Sequence, residues 1–186
     1  MTKMIPHDQY LRGIRLCRRN AKRLLRLADA AYAKKCYHAA FLLGFASLEE
    51  TGKAVIILNH FKEEHITNNV YTKELLKHDK KISEALKMIN ENFLEVMNVG
   101  PRNLIYQDLK MLEPKKRDIK AITDNRLDSI YVDYDPEKGS WTRPIKDMER
   151  YAWDIMMKAL DGYICFLNEC KHRDIKLRKY VIYQDS

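Results

Sequence analysis

Hydrophobic residues recur along most of the chain at the three- and four-residue spacing of an amphipathic helix. In the first segment this spacing predicts a helix from about Asp8, a suitable N-cap residue, to about Tyr32. A second helix is predicted from about Lys35 to Phe61, and it is apolar almost all the way round. A helix of that kind is typical of the centre of a bundle, where neighbours cover every side. The polar stretch 67–69 then interrupts the pattern.

Two more long helices are predicted, over about residues 72–97 and 144–171. Residues 101–112 are expected to form a short extra helix, and residues 113–144 lack any regular period apart from one alternating run that favours an extended segment. Four long helices with heptad-like apolar faces predict an all-α, up-and-down four-helix bundle. The short extra helix and the irregular insertion are expected to precede the last helix. Residues 1–186 are expected to form a single domain.

The composition supports a helical protein with a buried core. Six Gly and five Pro among 186 residues are few for a turn-rich β fold, and 46% apolar residues suffice for a core. The longest stretch without Asp, Glu, Lys or Arg is Cys36–Leu48, which is shorter than the roughly 20 residues that span a bilayer. No apolar segment follows Met1 as in a secretory signal. We therefore expect a cytoplasmic protein with no membrane contact.

The candidate metal and redox residues lack the spacing that such sites need. The four cysteines contain no C-x-x-C pair, and each lies in or beside an apolar helical stretch, so we expect small buried side chains without disulfides. They are Cys17, Cys36, Cys165 and Cys170. His60 and His65 do not share a helical face, and the chain contains no phosphate-binding glycine loop or nucleophile elbow. The sequence predicts no metal and no cofactor.

The positive charge is concentrated at the start of the chain. Residues 1–35 carry ten Lys or Arg against two Asp, which accounts for the whole formal net charge of +8. Six of these cations fall within an arc of about 100° on the first helix, opposite its apolar arc. They are Arg12, Arg15, Arg19, Lys22, Arg23 and Arg26. Such a face binds nucleic-acid phosphates, binds an acidic partner or is merely solvated. No aromatic residue interrupts it, so base stacking has no support there.

Ionisable residues interrupt the apolar second helix at Glu49, Glu50 and Lys53. Charges are costly in such a setting unless they are paired, and Lys53 lies at ion-pair spacing from both carboxylates. Gly52 costs about 1 kcal/mol in a helix relative to Ala, which indicates close approach by a neighbouring backbone. Two interpretations remain: an internal ion-pair network that fixes helix register, or a polar functional pocket between helices.

Two further groups of polar residues are candidate site residues. His78 is predicted at the edge of the apolar stripe of the third helix, with Lys81 three residues later. It is either a structural histidine or an acid–base group tuned by Glu49 or Glu50. Residues 125–134 form a polar segment with Arg126 and Tyr131, which is either a solvated loop or a cover over the bundle mouth. We predict that Glu49, Lys53 and His78 approach one another.

The order of these motifs resembles one protein family. The second helix carries S-L-E-E-T-G-K, the next helix carries K-H-D-K-K, and R-L-D-S-I-Y-V-D-Y follows later. This arrangement, over about residues 15–170, is similar to the AbiV family of abortive-infection proteins, which are grouped with the HEPN superfamily of helical bundles.

The resemblance implies phage defence by growth arrest or cell death, a HEPN-like bundle, action on RNA or translation, and a homodimer. It implies a site made of Glu49, Glu50, Lys53, His78, Lys81, Arg126 and Tyr131. HEPN ribonucleases carry an Arg four to six residues before a His, whereas this chain has Lys73 before His78. Three functions stay open: a metal-independent endoribonuclease, a non-catalytic module that binds RNA or a phage-encoded protein, and a nucleotide-binding bundle.

Overall fold

The computed structural model describes residues 7–60, 74–96, 114–128, 134–135, 140–141, 148–173 and 175. Within these residues the elements are α1 (His7–Ala33), α2 (Tyr37–His60), α3 (His78–Val96), α4 (Lys116–Asp128), β1 (Tyr134–Asp135), β2 (Ser140–Trp141) and α5 (Glu149–His172). The two short strands pair antiparallel, with Tyr134 opposite Trp141. No helix in this part of the chain is long and apolar enough to cross a membrane. The predicted all-α bundle is confirmed.

The central position predicted for the second helix is confirmed, because α2 packs against each of the other four helices. Its buried residues lie on all sides of the helix and include Phe45, Leu48 and Leu58. The three-residue connection 34–36 turns the chain so that α1 and α2 run antiparallel. The Ser47 hydroxyl of α2 donates a 2.9 Å hydrogen bond to the carbonyl of Ala21 in α1. This bond satisfies a polar group that is fully buried in the core.

Small residues allow α5 to lie close to α2. A Cβ atom added at Gly44 would lie 3.1 Å from Cγ2 of Ile155, so the α2 backbone is in near contact with α5. Further along, Gly162 of α5 lies beside Leu48 and Thr51 of α2. The two helices therefore run in the same direction, with α1 antiparallel to both. α3 packs against α2 and α5 and completes the core.

The backbones of α2 and α3 approach each other closely at Gly52. A Cβ atom added there would lie 1.9 Å from the carbonyl oxygen of Lys81 and 3.0 Å from its Cα. Real Cβ atoms do not approach a backbone oxygen so closely, and a backbone, unlike a side chain, cannot rotate away. The prediction that Gly52 marks close backbone approach is confirmed.

The segment before the last helix differs from the sequence prediction. Residues 116–128 of the predicted irregular insertion form α4, because Ile119 is buried and Ile122 packs beside it on one helical face. Tyr134, the last residue of the alternating run, lies in β1, and residues 129–133 lie outside the described residues. The predicted extra helix over residues 101–112 lies outside the described residues.

Two helix starts also differ from the prediction. α3 begins at His78, about six residues later than expected, after a non-helical break at 75–77. α5 begins at Glu149, with Met148 in the N-cap position and fully buried. The helix ends at Ala33 and His172 agree closely with the predicted ones.

Three of the four cysteines are at least partly buried, and none is in a disulfide. Burial, followed by the charge of Glu50, raises the pKa of the Cys17 thiol to about 12. Burial likewise raises the pKa of Cys170 to about 12. Cys36 is exposed because it lies in the connection between α1 and α2, so the prediction that all four cysteines are buried is wrong for this residue.

Replacement of Gly52 by Ala should destabilise the bundle. Helix propensity alone would favour Ala by about 1 kcal/mol, but the overlap with the Lys81 carbonyl forces α3 away from α2. We expect the free energy of unfolding in urea to fall by about 1–3 kcal/mol, as in other overpacked cores. Gly162→Ala is the matched control: its Cβ would meet neighbours at 3.5 Å, so stability should be unchanged or higher. Equal effects of the two substitutions would contradict the close approach.

Cys36 should react with iodoacetamide before the other cysteines of the native protein. Alkylation requires an accessible thiolate, and the thiols of Cys17 and Cys170 are protonated at pH 8 because their pKa values are about 12. Peptide mass spectrometry after brief labelling at pH 8 should find the label at Cys36. A Cys36→Ser variant should then stay almost unlabelled until urea is added. Rapid native labelling of Cys17 would contradict its burial beside Glu50.

Candidate functional site

Glu49 of α2 is the centre of a cluster that joins α2 to the first turn of α3. His78 contacts its carboxylate through Nδ1, and Nζ of Lys81 lies 3.2 Å from the same oxygen, Oε1. His78 and Lys81 are three residues apart, so both side chains leave α3 on the same face. The close approach at Gly52, one turn along α2, sets the helix spacing at which these contacts form. The predicted contact between Glu49 and His78 is therefore confirmed.

The three side chains differ in their exposure to solvent. Those of Lys81 and Glu49 are 5% and 12% exposed, so the ion pair is largely buried. The side chain of His78 is 45% exposed and reaches the surface. A carboxylate only accepts hydrogen bonds, so Nδ1 of His78 is the donor to Glu49. Nε2 of the neutral ring is then the nitrogen with a free lone pair, as in a general base held by a carboxylate.

Glu50 and Lys53 form a second cluster, which faces α1. Nζ of Lys53 lies 2.5 Å from Oε1 of Glu50, and the Cys17 thiol of α1 lies close enough to Glu50 for the carboxylate to raise its pKa. Burial lowers the pKa of Lys53, but the hydrogen bond and the charge of Glu50 outweigh it, and the pKa is raised overall. Consecutive helical residues point about 100° apart, so Glu49 and Glu50 face different helices. Lys53 thus pairs with Glu50, so the prediction that Lys53 joins Glu49 and His78 in one contact is wrong: Lys81 takes that place.

α4 lies beside the first cluster. The Thr123 hydroxyl of α4 contacts the Asp79 carboxylate at 3.2 Å, next to His78, and donates a 2.9 Å bond to the carbonyl of Ile119. Arg126 also belongs to α4, so it lies in a helix and not in the loop that the sequence predicted. Tyr131 lies outside the described residues.

Sequence reasoning missed the contact between Asp79 and Thr123. Asp79 is an acidic residue in the first turn of a helix, which is a common position, and it carries no signal of a partner 44 residues away. The contact depends on α4, which the sequence did not predict. Recognition of Ile119 and Ile122 as a helical pair would have indicated that α4 has an apolar face.

The basic face of α1 is present in the structure as predicted from the helical spacing. Arg12, Arg19, Lys22, Arg23 and Arg26 are exposed, whereas Arg15 is half-buried. α1 packs against α2 and α5, while the cluster around Glu49 lies where α2 meets α3. The exposed cations point away from α2. The basic face and His78 therefore lie on different sides of the bundle.

The donor set of the described residues does not form a metal site. No three His, Cys, Asp or Glu side chains in this part of the chain are grouped as metal ligands. The carboxylate of Glu49 is already bound by two nitrogen groups. The available chemistry at this cluster is acid–base chemistry at His78, next to a buried ion pair.

Comparison with known proteins identifies the family. No curated protein and no solved structure matches this chain. The sequence profile of the AbiV family, HEPN_AbiV, matches residues 9–159. The match extends from the start of α1 into α5 and covers the Glu49 cluster and the basic face. The chain therefore belongs to the AbiV family of HEPN proteins.

Proposed function

We propose that this protein is an abortive-infection antiphage protein that acts on RNA, with His78 as its acid–base residue. Membership of the AbiV family supports the defence role. The contact between the half-exposed His78 and the buried Glu49 is the observation that carries the chemical proposal. A histidine held by a carboxylate at the surface is the arrangement that general acid–base catalysis needs.

The reaction that suits this cluster is metal-independent cleavage of RNA. Nε2 of His78 removes the proton of a ribose 2′-hydroxyl, and the resulting oxygen attacks the adjacent phosphorus. The bond from phosphorus to the 5′-oxygen breaks, and this oxygen takes a proton from a water molecule, while the His78 imidazolium returns its proton to the solvent. The products are a 2′,3′-cyclic phosphate and a 5′-hydroxyl end. Glu49 stabilises the imidazolium that forms, because it accepts the Nδ1 hydrogen bond.

The other predicted site residues take different roles in this proposal. Lys81 is too deeply buried to contact an RNA, so it neutralises and positions Glu49. Lys53 and Glu50 form the second cluster and link α2 to α1. Arg126 of α4 is the cation that we favour for the charge of the transition state. Tyr131 remains a predicted site residue.

A second candidate is an RNA-binding protein without catalysis. The observation that favours it is the exposed basic face of α1, which lies away from His78 and needs no catalytic group. In this case the Glu49 cluster only fixes the packing of α2 against α3. The homodimer and the cytoplasmic location also remain predictions.

Replacement of His78 should abolish RNA cleavage without unfolding the protein. We expect His78→Ala to reduce cleavage of a labelled RNA by about 10²–10⁴-fold, the usual contribution of acid–base catalysis. The assay contains EDTA, and end mapping should find 2′,3′-cyclic phosphates. His172→Ala is the control, because His172 is an exposed histidine at the end of α5. When expressed in bacteria, the His78→Ala variant should no longer arrest growth, whereas the His172→Ala variant should still do so.

A second pair of variants separates catalysis from stability. Glu49→Gln leaves the Lys81 charge buried without its partner, which costs about 3–5 kcal/mol of stability. Glu49→Gln combined with Lys81→Met removes both charges and should restore the melting temperature but not cleavage. Recovery of cleavage in the double variant would exclude a role for Glu49 in positioning His78. Tight RNA binding without cleavage by the wild type would exclude the enzyme and favour the second candidate.

The basic face should dominate the salt dependence of RNA binding. Each phosphate contact on a single strand contributes about −0.7 to the slope of log K against log salt. We therefore expect Arg19→Ala with Lys22→Ala to reduce the magnitude of the slope by about 1.4. The matched control is Arg150→Ala with Lys171→Ala, which removes one exposed Arg and one exposed Lys from α5. Equal slopes for the two double variants would show that the face of α1 is only solvated.

A further inference from the structure

An apolar stripe lies exposed along α5. Trp153, Leu160 and Ile164 are 50%, 36% and 46% exposed, and Met157, between them, is half-buried. The spacing of four, three and four residues puts these side chains on one helical face. The stripe covers three helical turns, about 16 Å. Neighbouring exposed apolar side chains on one face are typical of a surface that binds another protein.

The stripe lies on the side of α5 that adjoins α1. The ring of Trp153 packs on Tyr32, near the end of α1, with 5.6 Å between ring centroids. Near the other end of α5 the charge of Arg18 acts on Cys170, so α1 follows α5 along its length. Tyr32 and Arg18 lie on the same face of α1, with Leu25 between them. We call the surface between the exposed side chains of α5 and this face of α1 the groove.

The two edges of this groove differ in charge. On the α1 edge lie Arg15 and Lys22, which are the cations of the basic face nearest to Arg18 on the helix. Asp29 is the only acidic residue of α1 after its first turn. On the α5 edge lie Asp154 and Asp161, both exposed. The basic edge belongs to the segment that carries the whole net charge of the chain.

We propose that this groove binds an amphipathic helix of a partner protein, with an acidic flank that lies over the basic edge of α1. The apolar face of the partner helix covers Trp153, Leu160 and Ile164, as in other complexes of a helix in an apolar groove. The carboxylates of its flank pair with Arg15 and Lys22. Its other flank, over Asp154 and Asp161, is uncharged or basic. This inference does not rest on the proposed action on RNA.

Charge complementarity favours an acidic partner over a second copy of this chain. Two copies, each with a net charge of +8, repel each other at long range, whereas an acidic helix is attracted. RNA would also be attracted to the basic edge, but its phosphates cannot cover the apolar stripe. The combination of an apolar stripe and a basic edge therefore fits an acidic amphipathic helix.

The test uses synthetic helical peptides and the full chain. One labelled peptide has Leu at positions i, i+3, i+4 and i+7 and Glu on one flank, and a second has Lys in place of Glu. We expect the Glu peptide to bind at least about ten times more tightly, a difference of about 1.4 kcal/mol. In a Trp141→Phe background Trp153 is the only tryptophan, and its emission should shift to the blue when the peptide covers it.

Three variants locate the binding surface. Leu160→Glu should weaken binding of the Glu peptide at least about tenfold, and Lys22→Gln should weaken it and reduce its salt dependence. Tyr151→Ala should have no effect, because Tyr151 is an exposed aromatic of α5 outside the stripe. Circular dichroism checks that each variant is folded.

Four outcomes would overturn the proposal. They are equal affinity for the two peptides, binding that survives Leu160→Glu, a dimer in light scattering that Leu160→Glu dissociates, and sedimentation with anionic vesicles that depends on Trp153. The third would assign the stripe to a second copy, and the fourth would assign it to a lipid surface.

Discussion

A central helix that is apolar on every side has to be covered on every side, and this constraint shapes the whole bundle. α1, α3, α4 and α5 all pack on α2. α5 and α3 lie close to the α2 backbone because α2 has glycines, Gly44 and Gly52, at the positions where these helices approach it. The contact at Gly52 also determines where the first turn of α3 lies, and with it the positions of His78 and Lys81 relative to Glu49. The polar cluster therefore forms only when α3 packs against α2 at Gly52.

The charges on α2 are tolerated because each one has a partner from the same or a neighbouring helix. Glu49 pairs with Lys81 across the contact with α3, and Glu50 pairs with Lys53 beside Cys17 of α1. The two clusters differ in what they leave accessible. In the first cluster the imidazole ring of His78 is about half exposed to solvent. In the second cluster the accessible group is Lys53, whose charge is already neutralised by Glu50. Acid–base chemistry is therefore better supported at the first cluster.

Features that depend on helical periodicity could be predicted from the sequence. Features that depend on contacts between distant parts of the chain could not. α1 and α2 and the close approach at Gly52 could be predicted, because their signals lie within one helix. The contact between Glu49 and His78 was predictable from two apolar faces that had to meet. α4 was not predicted, since its helix depends on the burial of Ile119 and on the Thr123–Asp79 contact with α3. The exposure of Cys36 likewise follows from the turn between α1 and α2.

The arrangement of helices also limits how the basic face and His78 can act together. α1 presents its exposed cations away from α2, and His78 lies where α2 meets α3. A short RNA held only by the cations of α1 would leave its phosphates far from His78 of the same chain. Cleavage near His78 then requires an RNA long enough to pass around the bundle, or a second chain whose α1 lies beside this cluster. The length of the shortest RNA that is cleaved, compared with the shortest that is bound, distinguishes these arrangements. Equal lengths would indicate that cations nearer to His78 than those of α1 bind the substrate.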